Sequence, residues 1–124
     1  MKLFVLLGSI NMALAVAIGA FGAHVLAGKV TEKMLQNWNT GAHYHIIHAL
    51  ALIGVGLLMS KVNGASSLLP IAGWLIFAGI VFFSGSLYTL VLTGVRTWGA
   101  VTPIGGVAFI AGWILVAVAA VKQL

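Results

Sequence analysis

The sequence contains no cysteine, which removes disulfides, thiolate nucleophiles and iron–sulfur clusters from consideration. Acid is almost absent as well: Glu32 is the single Asp or Glu, against six lysines and arginines. Paired-acid hydrolysis needs two carboxylates, magnesium-dependent phosphoryl transfer needs acids to hold the metal, and carboxylate-driven transport needs an acid inside the membrane. One acid counts against all three. Charged residues of either sign make up only 6% of the chain, too few to cover a water-soluble surface. No enzymatic role is expected.

What fills the chain instead is hydrocarbon, with 62% hydrophobic residues and a mean hydropathy of +1.19. Apolar stretches cover approximately residues 3–27, 43–60, 68–93 and 103–121. About 20 mostly apolar residues in a helix cross the hydrocarbon core of a bilayer. The expected fold is therefore all-α, an integral membrane four-transmembrane-helix bundle. Residues 1–124 are expected to form a single transmembrane domain, leaving no length for a catalytic domain outside the bilayer. Met1-Lys2 followed by Leu3–Leu7 resembles the start of a secretory signal. The apolar stretch continues to Leu26, beyond the ~7–15 residues of a signal core, so an uncleaved first span is expected.

The formal net charge of +5 raises the question of nucleic acid. Lys2, Lys29, Lys33, Lys61, Arg96 and Lys122 fall singly at span ends, however, and build no basic patch for a phosphate backbone. They suit anchoring to membrane lipids, with apolar stems in the bilayer and charges at the headgroups. No nucleic-acid partner is expected. With four spans, Lys2, Lys61 and Lys122 share one side while Lys29, Lys33 and Arg96 share the other, so charge leaves orientation nearly tied. The amino terminus and Glu32 tilt it towards both termini being cytoplasmic.

Local signals organise the segments. Ala15, Gly19 and Ala23 lie four apart on one face of span one, a stripe that lets helices approach closely within the bundle or between copies, so homo-oligomerisation is an expectation. Asn11 is expected to bond across to another helix. Gly28 reads as the stop of span one, and Thr31 as a cap with Glu32 in the first turn. Residues 31–39 read as a short interfacial amphipathic helix, with Trp38 near the headgroups and Gly41 breaking it from span two. Lys61-Val62-Asn63-Gly64 reads as a tight turn and Ser66 or Ser67 as the cap of span three, with Pro70 in its first turn. Ser84-Gly85-Ser86 marks a close approach or a bend. Gly94–Gly99 forms the third connection, and Thr102-Pro103 opens span four as cap and first helical residue.

Histidine is the versatile residue type. His24 closes span one, and His43, His45 and His48 open span two, so all four are expected near one membrane face. The pairs His45/His48 and Tyr44/His48 each share a helix face, whereas His43 points away from His48. His24, Tyr44 and His48, joined by His45, are therefore the candidate polar cluster. Ser84, Ser86, Tyr88 and Thr89 add hydroxyls in span three, which in membrane helices commonly bond to neighbouring groups. The plain reading is that these groups close the helix hairpin, in a non-enzymatic structural or interaction component of the membrane. The alternative is a site for a small molecule, a lipid, or a metal or haem, and a further one is movement of protons or solutes. No acid lies close in sequence to orient an imidazole, and no recognised ligand spacing is present, so no metal or other cofactor is expected.

Gly19-Ala20-Phe21-Gly22-Ala23-His24-Val25-Leu26, Tyr44-His45-Ile46-Ile47-His48-Ala49-Leu50-Ala51-Leu52, Phe83-Ser84-Gly85-Ser86-Leu87-Tyr88 and Thr102-Pro103-Ile104-Gly105-Gly106 occur in that order. Together they resemble the transmembrane protein 256 family, small bacterial and eukaryotic membrane proteins long labelled a domain of unknown function. The resemblance spans essentially the whole chain. It implies four transmembrane helices and residence in the bacterial inner membrane, and no settled activity. His24, Tyr44, His48, Ser84, Gly85, Ser86, Tyr88, Thr102 and Pro103 match its pattern, while His43 and His45 are less characteristic. A shared site would centre on His24 and His48.

Overall fold

A computed structural model of the protein describes residues 2–62 and 68–124. The end of the turn expected at 61–64 and the Ser66 or Ser67 cap lie outside the described residues. Helix α1 (Lys2–Phe21) runs on through a π-helical turn at Gly22–Leu26, and α2 follows at Glu32–Met59. Helix α3 (Leu68–Gly79) passes through a second π-helical turn at Ile80–Ser84 into α4 (Gly85–Thr93). A short 3₁₀ turn at Arg96–Ala100 leads into α5 (Thr102–Gln123). These make four helical rods long and apolar enough to cross a membrane: Lys2–Leu26, Glu32–Met59, Leu68–Thr93 and Arg96–Gln123.

Three of the residues expected to end or start helices do so. Gly28 and Gly94 both take the left-handed conformation, with φ of 83° and 71°, which a side chain would resist. The Gly94 N–H closes α4 on the Leu90 carbonyl at 2.8 Å. Thr31 caps α2, its hydroxyl oxygen accepting from the Met34 N–H at 3.2 Å, with Glu32 in the first turn where the helix dipole favours an acid.

Three local expectations are corrected. Residues 32–39 are not a separate interfacial helix; they are the first turns of α2 itself, which continues without a break to Met59. A 28-residue helix is ~42 Å long, against a hydrocarbon core of ~30 Å, so its amphipathic start has room to project past the apolar zone. Gly41 costs the helix only ~1 kcal/mol and does not end it. Trp38 is 3% exposed, packed with Leu26 and Val91 in a small core of its own rather than set among headgroups. Thr102 does not cap α5: it is the first helical residue, and its hydroxyl is engaged with Ser86.

Helix α1 lies chiefly against α2 and α3 chiefly against α5, while α2 also meets α3 and α4. The face α1 turns inward is Phe4, Gly8, Asn11 and Ala15; of the expected stripe only Ala15 is buried, and Ala23 is exposed. Glycines set how near the rods come. A Cβ on Gly8 would sit 2.7 Å from the Ala49 carbonyl oxygen, and one on Gly105 would overlap the Phe83 amide nitrogen and lie 2.7 Å from the Phe82 carbonyl carbon. Apolar burial gives little drive for helices to associate in lipid, so such backbone approaches supply the dispersion contacts that hold the rods together. The main core gathers Phe4, Leu52, Val55, Leu69, Ile76, Ile80 and Phe109 from across the bundle. Leu3, Leu6, Ile10 and Leu14 on α1 and Ile104, Val107, Ile110 and Ile114 on α5 face outward, as acyl-chain solvation allows.

Gly105→Ala is expected to lower thermal stability in detergent by an amount of the order of 1–3 kcal/mol, the usual range for overpacking. Gly54→Ala, where a Cβ would meet nothing within 4 Å, is expected to leave it unchanged or raised. Equal effects from the two substitutions would contradict the assigned α5 contact.

Candidate functional site

Because α2 starts at Glu32, His45 lies midway along it, roughly 20 Å from its first residue at 1.5 Å per residue. Past the amphipathic start at residues 32–39, His45 and His48 lie about 9 and 14 Å along the apolar part of the helix, away from its mouth. His45 and His48 are each 4% exposed, and Ser84 and Ser86 are 0% and 3% exposed. A polar atom at such a position has no water to bond, and leaving it unpaired is costly. Among the described residues, no buried side-chain nitrogen or oxygen lacks a partner.

The partners fix the histidine tautomers. The Asn11 amide nitrogen donates to the Leu7 carbonyl at 2.9 Å, which turns its oxygen towards His45 Nε2, also at 2.9 Å. Nε2 therefore carries the proton, and Nδ1 accepts from the Tyr88 hydroxyl at 3.0 Å. His48 is arranged the other way round. Its Nδ1 is 2.7 Å from the Tyr44 carbonyl oxygen, which can only accept, so Nδ1–H donates. The indole Nε1–H of Trp113, 2.9 Å away, then donates to the lone pair of His48 Nε2. Two neutral imidazoles three residues apart hold opposite tautomers, and all four ring nitrogens are used within the protein. His45 joins α1, α2 and α4; His48 joins α2 and α5.

The serines are satisfied by bonds of their own. Ser84 Oγ donates to the Gly41 carbonyl at 2.8 Å, and the absent Gly41 side chain also makes room for the Tyr88 ring, whose Cε1 would lie 2.9 Å from a Cβ there. Ser86 Oγ donates to the Phe83 carbonyl at 2.9 Å, so the 2.6 Å contact with Thr102 must be a bond from the threonine hydroxyl to Ser86. Thr89 bonds back to the Gly85 carbonyl at 2.8 Å. Neither Ser84 nor Ser86 is hydrogen-bonded to a histidine. At the neighbouring level Trp38 Nε1–H donates to the Ile18 carbonyl at 2.8 Å, reaching the α1 backbone across Gly22, whose Cβ would overlap the indole.

The expected cluster is therefore divided. His45 and Tyr88 share one buried set of bonds with Asn11, His48 has its own partners in the Tyr44 carbonyl and Trp113, and Ser84 and Ser86 bond separately to the Gly41 carbonyl and to Phe83 and Thr102. His24 stands apart: Gly22 and Leu26 are the inward residues of the π-helical turn, and His24 between them is exposed. His43 is exposed as well. Tyr44 is 40% exposed, and its ring lies parallel to that of His48 with centroids 6.0 Å apart. Beside it, Tyr44, His48, Phe83, Gly106, Phe109, Ile110 and Trp113 line a groove of about 320 Å³ on the outer flank of the bundle. Phe109 stacks on His48 at 3.6 Å between centroids. Among the described residues no three His, Asp or Glu side chains converge.

Sequence reading found Asn11 but not its histidine, and missed Trp113 altogether. A tryptophan amid apolar neighbours carries no sign of where its N–H will point, and α2 and α5 are far apart in the chain.

With the geometry in place, comparison with known proteins gives three kinds of finding. A family model described as "Protein of unknown function (DUF423)" matches residues 18–106. The UPF0382 membrane protein YwdK of Bacillus subtilis (strain 168) is 57% identical over 124 residues, 100% of both chains. UPF0382 membrane proteins of Staphylococcus aureus (strain bovine RF122) and Staphylococcus saprophyticus are 50% and 46% identical over 123 residues, spanning 98% of this chain and 98% and 99% of theirs. No solved structure matches.

Nitrogen-15 NMR of histidine-labelled protein is expected to show two neutral rings of opposite tautomer, His45 protonated on Nε2 and His48 on Nδ1. Trp113→Phe is expected to change only the His48 signals and to destabilise by about 1 kcal/mol. Matching tautomers in the parent protein would refute the assigned network.

Proposed function

The chain belongs to the DUF423 family of proteins of unknown function, and from that premise we propose that it is a non-catalytic membrane component, a compact helical unit that serves structural and interaction roles in the bilayer. One observation carries this reading: every ring nitrogen of the two buried histidines is bonded inside the protein. No lone pair is left to ligate a metal, and a proton added at His48 Nε2 would face the Trp113 N–H. A transport role has little support, since α2 from Ala49 to Leu58 offers no polar side chain for a path. The resemblance to the transmembrane protein 256 family is taken as kinship, on the shared order of four motifs. The proposed location is the bacterial cell membrane, in keeping with relatives from Bacillus and Staphylococcus. Both termini are placed in the cytoplasm, because Lys2, Lys61 and Lys122 oppose Lys29, Lys33 and Arg96 less the charge of Glu32.

A second reading is a small apolar or lipidic molecule in the aromatic groove of Tyr44, His48, Phe83, Phe109 and Trp113. Its support is the Tyr44 hydroxyl, which bonds to no described residue and is free to donate to a ligand oxygen.

Metal analysis and an optical spectrum of the detergent-purified protein separate these readings from the cofactor alternative. The expected result is neither a stoichiometric metal nor a chromophore. A stoichiometric metal or haem band that disappears in His48→Ala or His24→Ala would overturn the proposal.

A further inference from the structure

At the end of the bundle where α2 begins and α4 ends, two cations from different elements meet over one groove. Lys33 is in the first turn of α2, and Arg96 opens the 3₁₀ turn after α4. Together with Thr31, Met34, Asn37 and Leu90 they line a cavity of about 420 Å³. Both are exposed, and neither is ion-paired or hydrogen-bonded to a described residue. Glu32, the only acid in the chain, is not among the lining residues. The positive end of the α2 dipole adds to the same field. Thr31 uses its hydroxyl oxygen to accept from Met34 N–H, which leaves its proton free to donate. Leu90 is buried and Met34 half-buried, so the groove has an apolar wall beneath its charged rim.

We propose that this groove is a binding site for the headgroup phosphate of an anionic phospholipid, held between Lys33 and Arg96 above the apolar wall of Met34 and Leu90. Charge and position both favour that occupant. Two cations and a helix N-terminus face one cavity with no counter-charge, and the site lies where the apolar rods end. A guanidinium can grip two phosphate oxygens in parallel while the ammonium supplies a compact charge. A zwitterionic lipid would bring its own cation into the same field and bind less well. This assignment is independent of the non-catalytic reading above and stands or falls separately.

The test is lipid binding to the full-length protein in neutral detergent, followed by native mass spectrometry and by thermal shift. Probes are phosphatidylglycerol, phosphatidylcholine and inorganic phosphate. Phosphatidylglycerol is expected to remain bound and to raise the melting temperature, and the other two are not. Lys33→Gln with Arg96→Gln should weaken phosphatidylglycerol binding on the order of thirty-fold, from about 1 kcal/mol per basic residue near a lipid surface. Lys33→Arg should keep most of it. Lys61→Gln with Lys122→Gln, at the other end of the bundle, should change it little. Equal binding of phosphatidylcholine would overturn the proposal, as would equal stabilisation by inorganic phosphate. An equal loss in the Lys61/Lys122 variant would reduce the effect to diffuse charge and overturn it as well. Both cations are exposed, so folding of the variants is expected, and circular dichroism checks it.

Discussion

Inside hydrocarbon a polar atom has no water to fall back on, so every imidazole nitrogen, amide and hydroxyl that the bundle buries must find its partner within the protein. Most of this fold can be understood as the solution to that constraint for His45 and His48. Each ring is flanked by one group that can only accept or can only donate: the Asn11 amide oxygen for His45, the Tyr44 carbonyl and the Trp113 indole for His48. Those partners leave no freedom in where the protons sit. With Tyr88 on α4 as the second partner of His45, the partners outside α2 lie on α1, α4 and α5, so satisfying two residues of α2 ties it to all the other rods. The serine bonds to Gly41 and from Thr102 work in the same sense at the next level.

Geometry of this kind needs helices that come close, and the glycines permit it. Gly41 gives Tyr88 room to lie against α2 and reach His45, Gly22 lets the Trp38 indole reach the α1 backbone, and Gly105 brings α5 onto the π-helical turn of the third span. The two effects depend on each other. Hydrogen bonds of modest individual strength specify the register, while the close-packed backbones supply the contact area that apolar burial cannot provide in lipid. The outer faces of α1 and α5 remain apolar and are left to the acyl chains.

Much of the fold was legible because it rests on length and composition, which need no knowledge of packing. Four apolar stretches gave four rods, and Gly28, Thr31 and Gly94 punctuated them by local backbone rules. The interfacial helix failed because amphipathicity was read as a separate element. Glutamine, asparagine and lysine in residues 32–39 mark the portion of α2 that extends beyond the apolar zone, and one glycine does not stop a helix of that length. The site was legible only in part, for a related reason. Helical spacing correctly paired Tyr44 with His48 and turned His43 away, since those relations are local. Which face of the turn at Gly22–Leu26 points inward, and which indole meets His48, are set by tertiary contacts over long separations, and no periodicity encodes them. His24 was grouped with the buried rings on chain position and on the family resemblance, neither of which carries a tertiary contact.

For a membrane protein of the DUF423 family, this arrangement shifts attention away from histidine chemistry at the centre and towards the surface the bundle presents to lipid and partners. The central claim is that the buried imidazoles act as fixed, fully bonded ties between helices. Its most direct test is a double-mutant cycle of His45→Phe and Asn11→Leu, followed by reversible unfolding in bicelles. The account predicts a coupling energy of about 0.5–2 kcal/mol between the two positions. Strictly additive effects, with coupling indistinguishable from zero, would contradict it.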